Sequence, residues 1–96
     1  MDKIKVFPII ITKSKDEGRY PYFVKIPDID GMTEGKSIAD AMEMAKDYIG
    51  TYSLEDKLPK SNTKLPQARD GETVTLVTVN ISEYKRKNNN KVIKSI

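Results

Sequence analysis

Tyr20-Pro21-Tyr22-Phe23-Val24-Lys25-Ile26-Pro27-Asp28-Ile29-Asp30-Gly31-Met32-Thr33-Glu34-Gly35-Lys36-Ser37 is the stretch whose reading decides the fold. Its first half is rich in aromatic and β-branched residues. Tyr22, Val24 and Ile26 alternate with Phe23 and Lys25, so a strand over 20–26 would turn the first set to a core and the second away from it. Pro27 cannot continue a ladder. Asp28, Ile29, Asp30 and Gly31 have turn chemistry: an acid to accept a local hydrogen bond and a glycine tolerant of positive φ. Met32, Thr33 and Glu34 leave room for a short third strand before Gly35. Ser37 stands three residues before Asp40, the spacing of a helix start in which a hydroxyl and a carboxylate satisfy free amides.

Before this stretch, Ile4 to Ile11 read as a strand apolar on both faces in its second half, with Pro8 predicting an edge or a bulge. Thr12 to Arg19 is polar and reads as a hairpin loop. After it, Ile38, Ala41, Met42, Ala45, Tyr48, Ile49 and Tyr52 recur at three- and four-residue steps, one apolar stripe of a helix. Met44 falls off that stripe, and Gly50 weakens the helix near its end. Leu54 to Gly71, with Pro59 and Pro66, has loop composition and unusual length. Glu72 to Ile81 alternates as a strand, one face of which (Thr75, Val77, Val79, Ile81) is almost wholly β-branched. Ser82 to Lys87 reads as a short helix interrupted at Asn88, Asn89 and Asn90. The fold class is α+β: a small antiparallel sheet on one helix, order β-β-β-α-β, with a basic C-terminal tail.

Composition narrows the function. The 96 residues hold no cysteine and no histidine. Disulfides and thiolate metal sites are thereby excluded, and so are the commonest general base and the imidazole ligand. Residues 1–50 carry eight Lys or Arg against nine Asp or Glu, while residues 51–96 carry nine against five. The excess gathers at Lys85, Arg86, Lys87, Lys91 and Lys94, the candidate nucleic-acid contacts if any exist. The longest apolar run, Val6 to Ile11, is far short of the roughly 20 residues that span a bilayer. No signal-peptide pattern opens the chain. A cytoplasmic protein without a membrane partner is the expectation.

Tyr22, Phe23, Pro27, Asp28, Gly31, Thr33, Gly35, Ser37 and Ala41 together resemble the N-terminal domain of HicB-type antitoxins, well over residues 1–55 and loosely beyond. The resemblance implies a partial ribonuclease H-like fold and a non-catalytic role: occluding a small basic toxin, HicA, that cuts messenger RNA with a histidine. Working ribonuclease H sites hold magnesium on strand carboxylates, whereas Ile9, Ile10 and Ile11 stand in a first strand without an acid. No cofactor and no enzymatic activity are therefore expected. Longer members continue into a ribbon-helix-helix or helix-turn-helix segment that binds operator DNA, so residues 1–84 correspond to the antitoxin domain and 85–96 to a basic tail or linker. Operator binding would need a segment beyond Ile96. A second reading from another class is a free-standing HicB-like protein, phage-derived or from a decayed operon, that binds RNA or another protein.

A basic toxin surface is complemented by acids, which makes Asp28, Asp30, Glu34, Asp40, Glu43 and Asp47 the candidate toxin contacts, with Asp16 and Glu17 beside them. Asp28, Asp30 and Glu34 do not have calcium-loop spacing, and turn chemistry explains them better than a metal. The aromatics Phe7, Tyr20, Tyr22, Phe23, Tyr48 and Tyr52 are better explained as core than as a base-stacking platform. A chain this small gains from association, so a homo-oligomer, dimer or tetramer, is expected. Val74, Leu76, Val77, Val79 and Ile81 are its candidate contacts, through pairing of their strand across a two-fold axis.

Overall fold

The computed structural model describes residues 2–15 and 18–95, with side chains as far as residue 88. Asp16, Glu17 and the side chains of Lys91 and Lys94 lie outside the described residues. The elements are β1 (Ile4–Lys13), β2 (Tyr22–Ile26), a 3₁₀ turn (Pro27–Ile29), β3 (Gly31–Gly35), α1 (Ile38–Glu55), β4 (Glu72–Asn80) and α2 (Ile81–Ser95). The strands form one antiparallel sheet in the order β3-β2-β1-β4. This is the expected α+β arrangement, extended by a second full helix.

The core lies between one face of the sheet and α1. Phe7, Ile9 and Ile11 of β1, Val24 and Ile26 of β2, and Val77 and Val79 of β4 are buried there against Ala41, Ala45 and Ile49 of the helix. Each large side chain so buried contributes about 1.5–3 kcal/mol from its removal from water. The alternation of Tyr22, Val24 and Ile26 holds as read, with Phe23 and Lys25 on the opposite, exposed face. Val77, Val79 and Ile81, expected as subunit contacts, are 1, 6 and 2% exposed and belong to the chain's own core. The β-branched pattern marks a buried face but does not specify what buries it.

β1 is a central strand, although Pro8 points to an edge. The length of β2 resolves this. Its pairing with β1 runs only from Lys13↔Tyr22 to Ile10↔Lys25, whereas β4 pairs with β1 from Ile4 to Thr12. Successive residues of an antiparallel ladder turn their backbone groups to alternate sides. Val6 turns its own away from β4, donating N–H to Ser61 Oγ at 3.1 Å and accepting from the Asn62 N–H at 2.9 Å. Pro8 has the same phase, and its missing donor falls where β2 has already ended. The 59–62 segment runs beside β1 there, and Lys5 Nζ adds a bond to the Pro59 carbonyl at 2.8 Å.

α1 begins as its spacing predicts. Ser37 Oγ accepts from the Asp40 N–H at 3.0 Å, and the Asp40 carboxylate accepts from the Lys36 N–H at 2.8 Å. The positive φ in the preceding turn belongs to Asp30 (φ 51°), not to Gly31. What Gly31 and Gly35 supply is space: a Cβ at Gly31 would stand 2.5 Å from the Tyr48 ring, and one at Gly35 2.6 Å from the Ala41 backbone.

α2 follows β4 without a loop. Asn80, the last strand residue, accepts the Glu83 N–H on its Oδ1 at 2.9 Å and so caps the helix. The N-terminal residues clasp this junction: the Ile81 N–H donates to the Lys3 carbonyl, the Lys3 N–H to Ser82 Oγ, and Asp2 accepts from Asn80 and Arg86. Those bonds, the one from Asn80 foremost, hold the Asp2 carboxyl below its usual range. The expected break at Asn88–Asn90 is absent, and the helix runs on to Ser95. Asn88 satisfies its side-chain amide on the Tyr84 carbonyl, one turn back, at 3.0 Å instead of diverting the backbone. No change of secondary structure therefore marks the expected boundary at residue 84. Among the described residues no helix is long and apolar enough to cross a membrane.

Gly35→Ala places its methyl against helix backbone, which no rotamer change relieves. It should lower stability by about 1–3 kcal/mol in urea or thermal unfolding, with the circular dichroism spectrum of the surviving fold unchanged.

Candidate functional site

The six candidate acids separate into two groups by location and into two by occupation. Asp28 sits in the 3₁₀ turn, Asp30 between that turn and β3, and Glu34 on β3, while Asp40, Glu43 and Asp47 lie on α1. Asp28 is half-buried and accepts the Asn62 side-chain amide on both carboxylate oxygens, at 3.2 and 3.0 Å. It thus ties the 56–71 segment to the turn. Asp40 is taken by the helix start. Asp47 accepts the Tyr84 hydroxyl at 3.0 Å, and that hydroxyl contacts Thr51 Oγ1 at 2.8 Å.

The remaining acids are available to a partner. Asp30 and Glu34 are exposed and carry no side-chain bond among the described residues. Glu43 is exposed and has only a long contact to Lys46, at 3.5 Å. Exposed pairs of this kind are worth 0–1 kcal/mol. Among the described residues no three carboxylates come together as a metal site would require.

Glu43 and Asp47 line a groove of about 430 Å³ with Lys46 of α1, Thr78 to Asn80 at the end of β4, and Glu83, Tyr84 and Lys87 of α2. Tyr84 is the aromatic residue of this lining. The ring lies over Gly50, where a Cβ would come 2.5 Å from it. Gly50, read from the sequence as a weak point, is thus the seat on which α2 rests, and α1 continues to Glu55. No sequence signal links Gly50 to Tyr84, because the contact depends on how α2 leaves β4.

The basic residues are less concentrated than they look in the sequence. Arg86 pairs with Asp2 at 3.3 Å and Lys87 with Glu83 at 3.3 Å. Lys85 lies across the helix from that pair, lining a second groove of about 270 Å³ with Lys3, Lys57 and Leu58. The aromatics are not gathered into a platform either. Phe7 is core, Tyr22, Tyr48 and Tyr52 pack against it, and Phe23 and Tyr20 are exposed. Lys36 Nζ stands 6.0 Å from the Tyr20 ring centre, a cation–π contact at the limit of its range.

Phe23 belongs to a further surface. The sheet face opposite α1 carries Val6, Pro8, Ile10, Phe23, Met32, Val74 and Leu76, with Met32 64% and Phe23 46% exposed. Part of it is overlaid by the 56–71 segment, which leaves a groove of about 230 Å³ between Pro8, Pro27, Asn62, Leu65 and Pro66.

With this geometry the chain can be compared with known proteins. No family model matches the sequence, and no curated protein does. Among solved structures, a chain of the "Toxin-Antitoxin complex from Streptococcus pneumoniae" matches with a TM-score of 0.65. The match covers 85% of this chain and 73% of that one at 19% sequence identity. At that identity the likeness is one of fold. This chain shares its fold with a chain of a toxin–antitoxin assembly.

The Gly50 seat and the Tyr84 hydroxyl can be separated experimentally. Tyr84→Phe should cost about 1 kcal/mol for the lost hydrogen bonds and leave α2 in place. Gly50→Ala should cost more despite the higher helix propensity of alanine, because the ring must leave its seat. Hydrogen exchange at the α2 amides should rise in the second variant and not in the first.

Proposed function

We propose that this protein is an antitoxin of the HicB type, which binds and occludes a small basic ribonuclease toxin without chemistry of its own. The observation that carries the reading is the fold match to a chain of a toxin–antitoxin complex, extending over 85% of this chain. The HicB-like residues of the 20–41 stretch support it independently. Five of the nine have a specific structural task here: Pro27 starts the 3₁₀ turn, Asp28 anchors the 56–71 segment, Gly31 and Gly35 admit α1, and Ser37 caps it.

Occlusion of a phosphate-binding surface needs accessible negative charge, not a catalytic constellation. Of the six candidate acids, Asp30, Glu34 and Glu43 are free to provide it, whereas Asp28, Asp40 and Asp47 already serve the fold. A HicA-like partner is the toxin this reading implies. DNA binding would belong to a segment beyond Ile96, and cytoplasmic action follows from a messenger RNA-cutting partner.

The test is co-purification with the product of any small open reading frame adjacent to the gene, followed by an RNA-cleavage assay of that product alone and in complex. A stable complex that silences cleavage is expected. Neutralising Asp30→Asn, Glu34→Gln and Glu43→Gln together should weaken the complex about tenfold, chiefly through slower association, with the melting temperature unchanged. A folded protein that binds no such neighbour would overturn the reading and favour an RNA or different protein partner.

A further inference from the structure

We propose that β4 pairs with β4 of a second copy across a two-fold axis centred on Leu76, joining two sheets into one of eight strands. The sheet has two edges, and they are built differently. β3 is five residues long, is bounded by glycines and carries Glu34. It has the short length and charge by which natural sheets prevent edge-to-edge pairing. β4 lacks these protections except for the charge of Glu72 at its first position. It is nine residues long, pairs with β1 over nine successive positions without a bulge, and has neither a charge nor a proline between Glu72 and Asn80.

The phase of the ladder selects the register. Because Val6 turns its backbone away from β4, the odd residues Lys5, Phe7, Ile9 and Ile11 exchange bonds with Val79, Val77, Thr75 and Thr73. Val74, Leu76 and Thr78 therefore direct their N–H and C=O groups outward, where no strand follows among the described residues. The midpoint of Glu72–Asn80 is Leu76, itself one of these outward residues. An antiparallel pairing that uses the full length of both strands thus has the correct hydrogen-bond phase.

In that register Leu76 faces its own copy, Val74 faces Thr78, Thr75 faces Val77, and Glu72 faces Asn80. No like charges meet. The half-buried Val74 and Leu76 of both copies become one apolar strip on the sheet face away from α1. This self-complementarity commits the edge to a second copy of the chain, not to a strand from another protein. Of the residues the sequence nominated for self-association, Val74 and Leu76 are the two left available, since Val77, Val79 and Ile81 serve the core.

The experiment uses the chain alone and so stands apart from any toxin partner. The protein has no cysteine, so single substitutions give an unambiguous readout. Hydrogen-bonded residues facing each other are about 5.5 Å apart at Cα, within disulfide range. Two Val74 positions would be offset by four residues, about 13 Å along the strand. Sedimentation of the wild type at about 100 μM, well above a micromolar dissociation constant, should give twice the chain mass. Under mild oxidation Leu76→Cys should form a covalent dimer at least tenfold faster than Val74→Cys. Thr78→Pro removes an outward donor without touching the β1 ladder, and should give a folded monomer by circular dichroism and sedimentation. A monomeric wild type would overturn the proposal. So would a wild-type dimer in which both cysteine variants cross-link equally, or in which Leu76→Cys does not cross-link.

Discussion

The fold depends on how closely α1 can lie on the sheet. Gly31 and Gly35 remove side chains from β3 at the two places where Tyr48 and the Ala41 backbone come down on it, and Ala41 and Ala45 keep the facing surface of the helix low. The helix can then fill the space above β2, β1 and β4 with Ile49 and bury Phe7, Ile9 and Ile11 beneath it. A helix held further out would leave voids along β1, and packing defects of that kind cost stability in proportion to their volume. The same helix, at Gly50, receives the ring of Tyr84. The position of α2 is thus inherited from the contact between α1 and the sheet.

A second constraint acts at the other end of β1. β2 stops at Ile26, and the groups it leaves unpaired on β1 must find partners. Ser61 and Asn62 supply them, and Asn62 also binds Asp28. The long polar segment is therefore fastened by specific bonds, with Leu65 and Pro66 held over the far face of the sheet. The acids of the surface divide accordingly. Half of the candidates are employed in holding turns, caps and helices, and the rest stand free.

The parts of this architecture that follow local rules were legible in the sequence. The Ser37 and Asp40 cap, the alternation of Tyr22, Val24 and Ile26, and the apolar stripe through Ala41, Ala45 and Ile49 are properties of one element each. What required the structure were relations between elements. The pattern of Val77 and Val79 says that a face is buried, and only the topology says that α1 buries it. Three asparagines suggest an end to α2, yet Asn88 bonds to the preceding turn. Gly50 weakens a helix in isolation and becomes a docking seat once Tyr84 is placed. The link from Asn62 to Asp28 spans a segment whose composition indicates a loop and names no partner. Of the candidate site, the sequence supplied the acids but not the distinction between occupied and accessible ones.

The pairing of β1 with β4 joins Ile4 to Asn80 and Thr12 to Glu72, so the central strand acquires one of its two neighbours only after β2, β3 and α1 have intervened in the sequence. Closing so large a loop before any reward is collected slows folding. During synthesis the hairpin and α1 would emerge first, with Phe7, Ile9 and Ile11 lacking their β4 neighbours until Asn80 has cleared the ribosome. Completion of the core is thereby postponed until β4 has been translated. A nascent chain would spend that interval with an incomplete sheet, during which chaperone contact or proteolysis competes with folding. On the antitoxin reading proposed above, the order of the strands in the sheet would also set the earliest moment at which a toxin could be recognised.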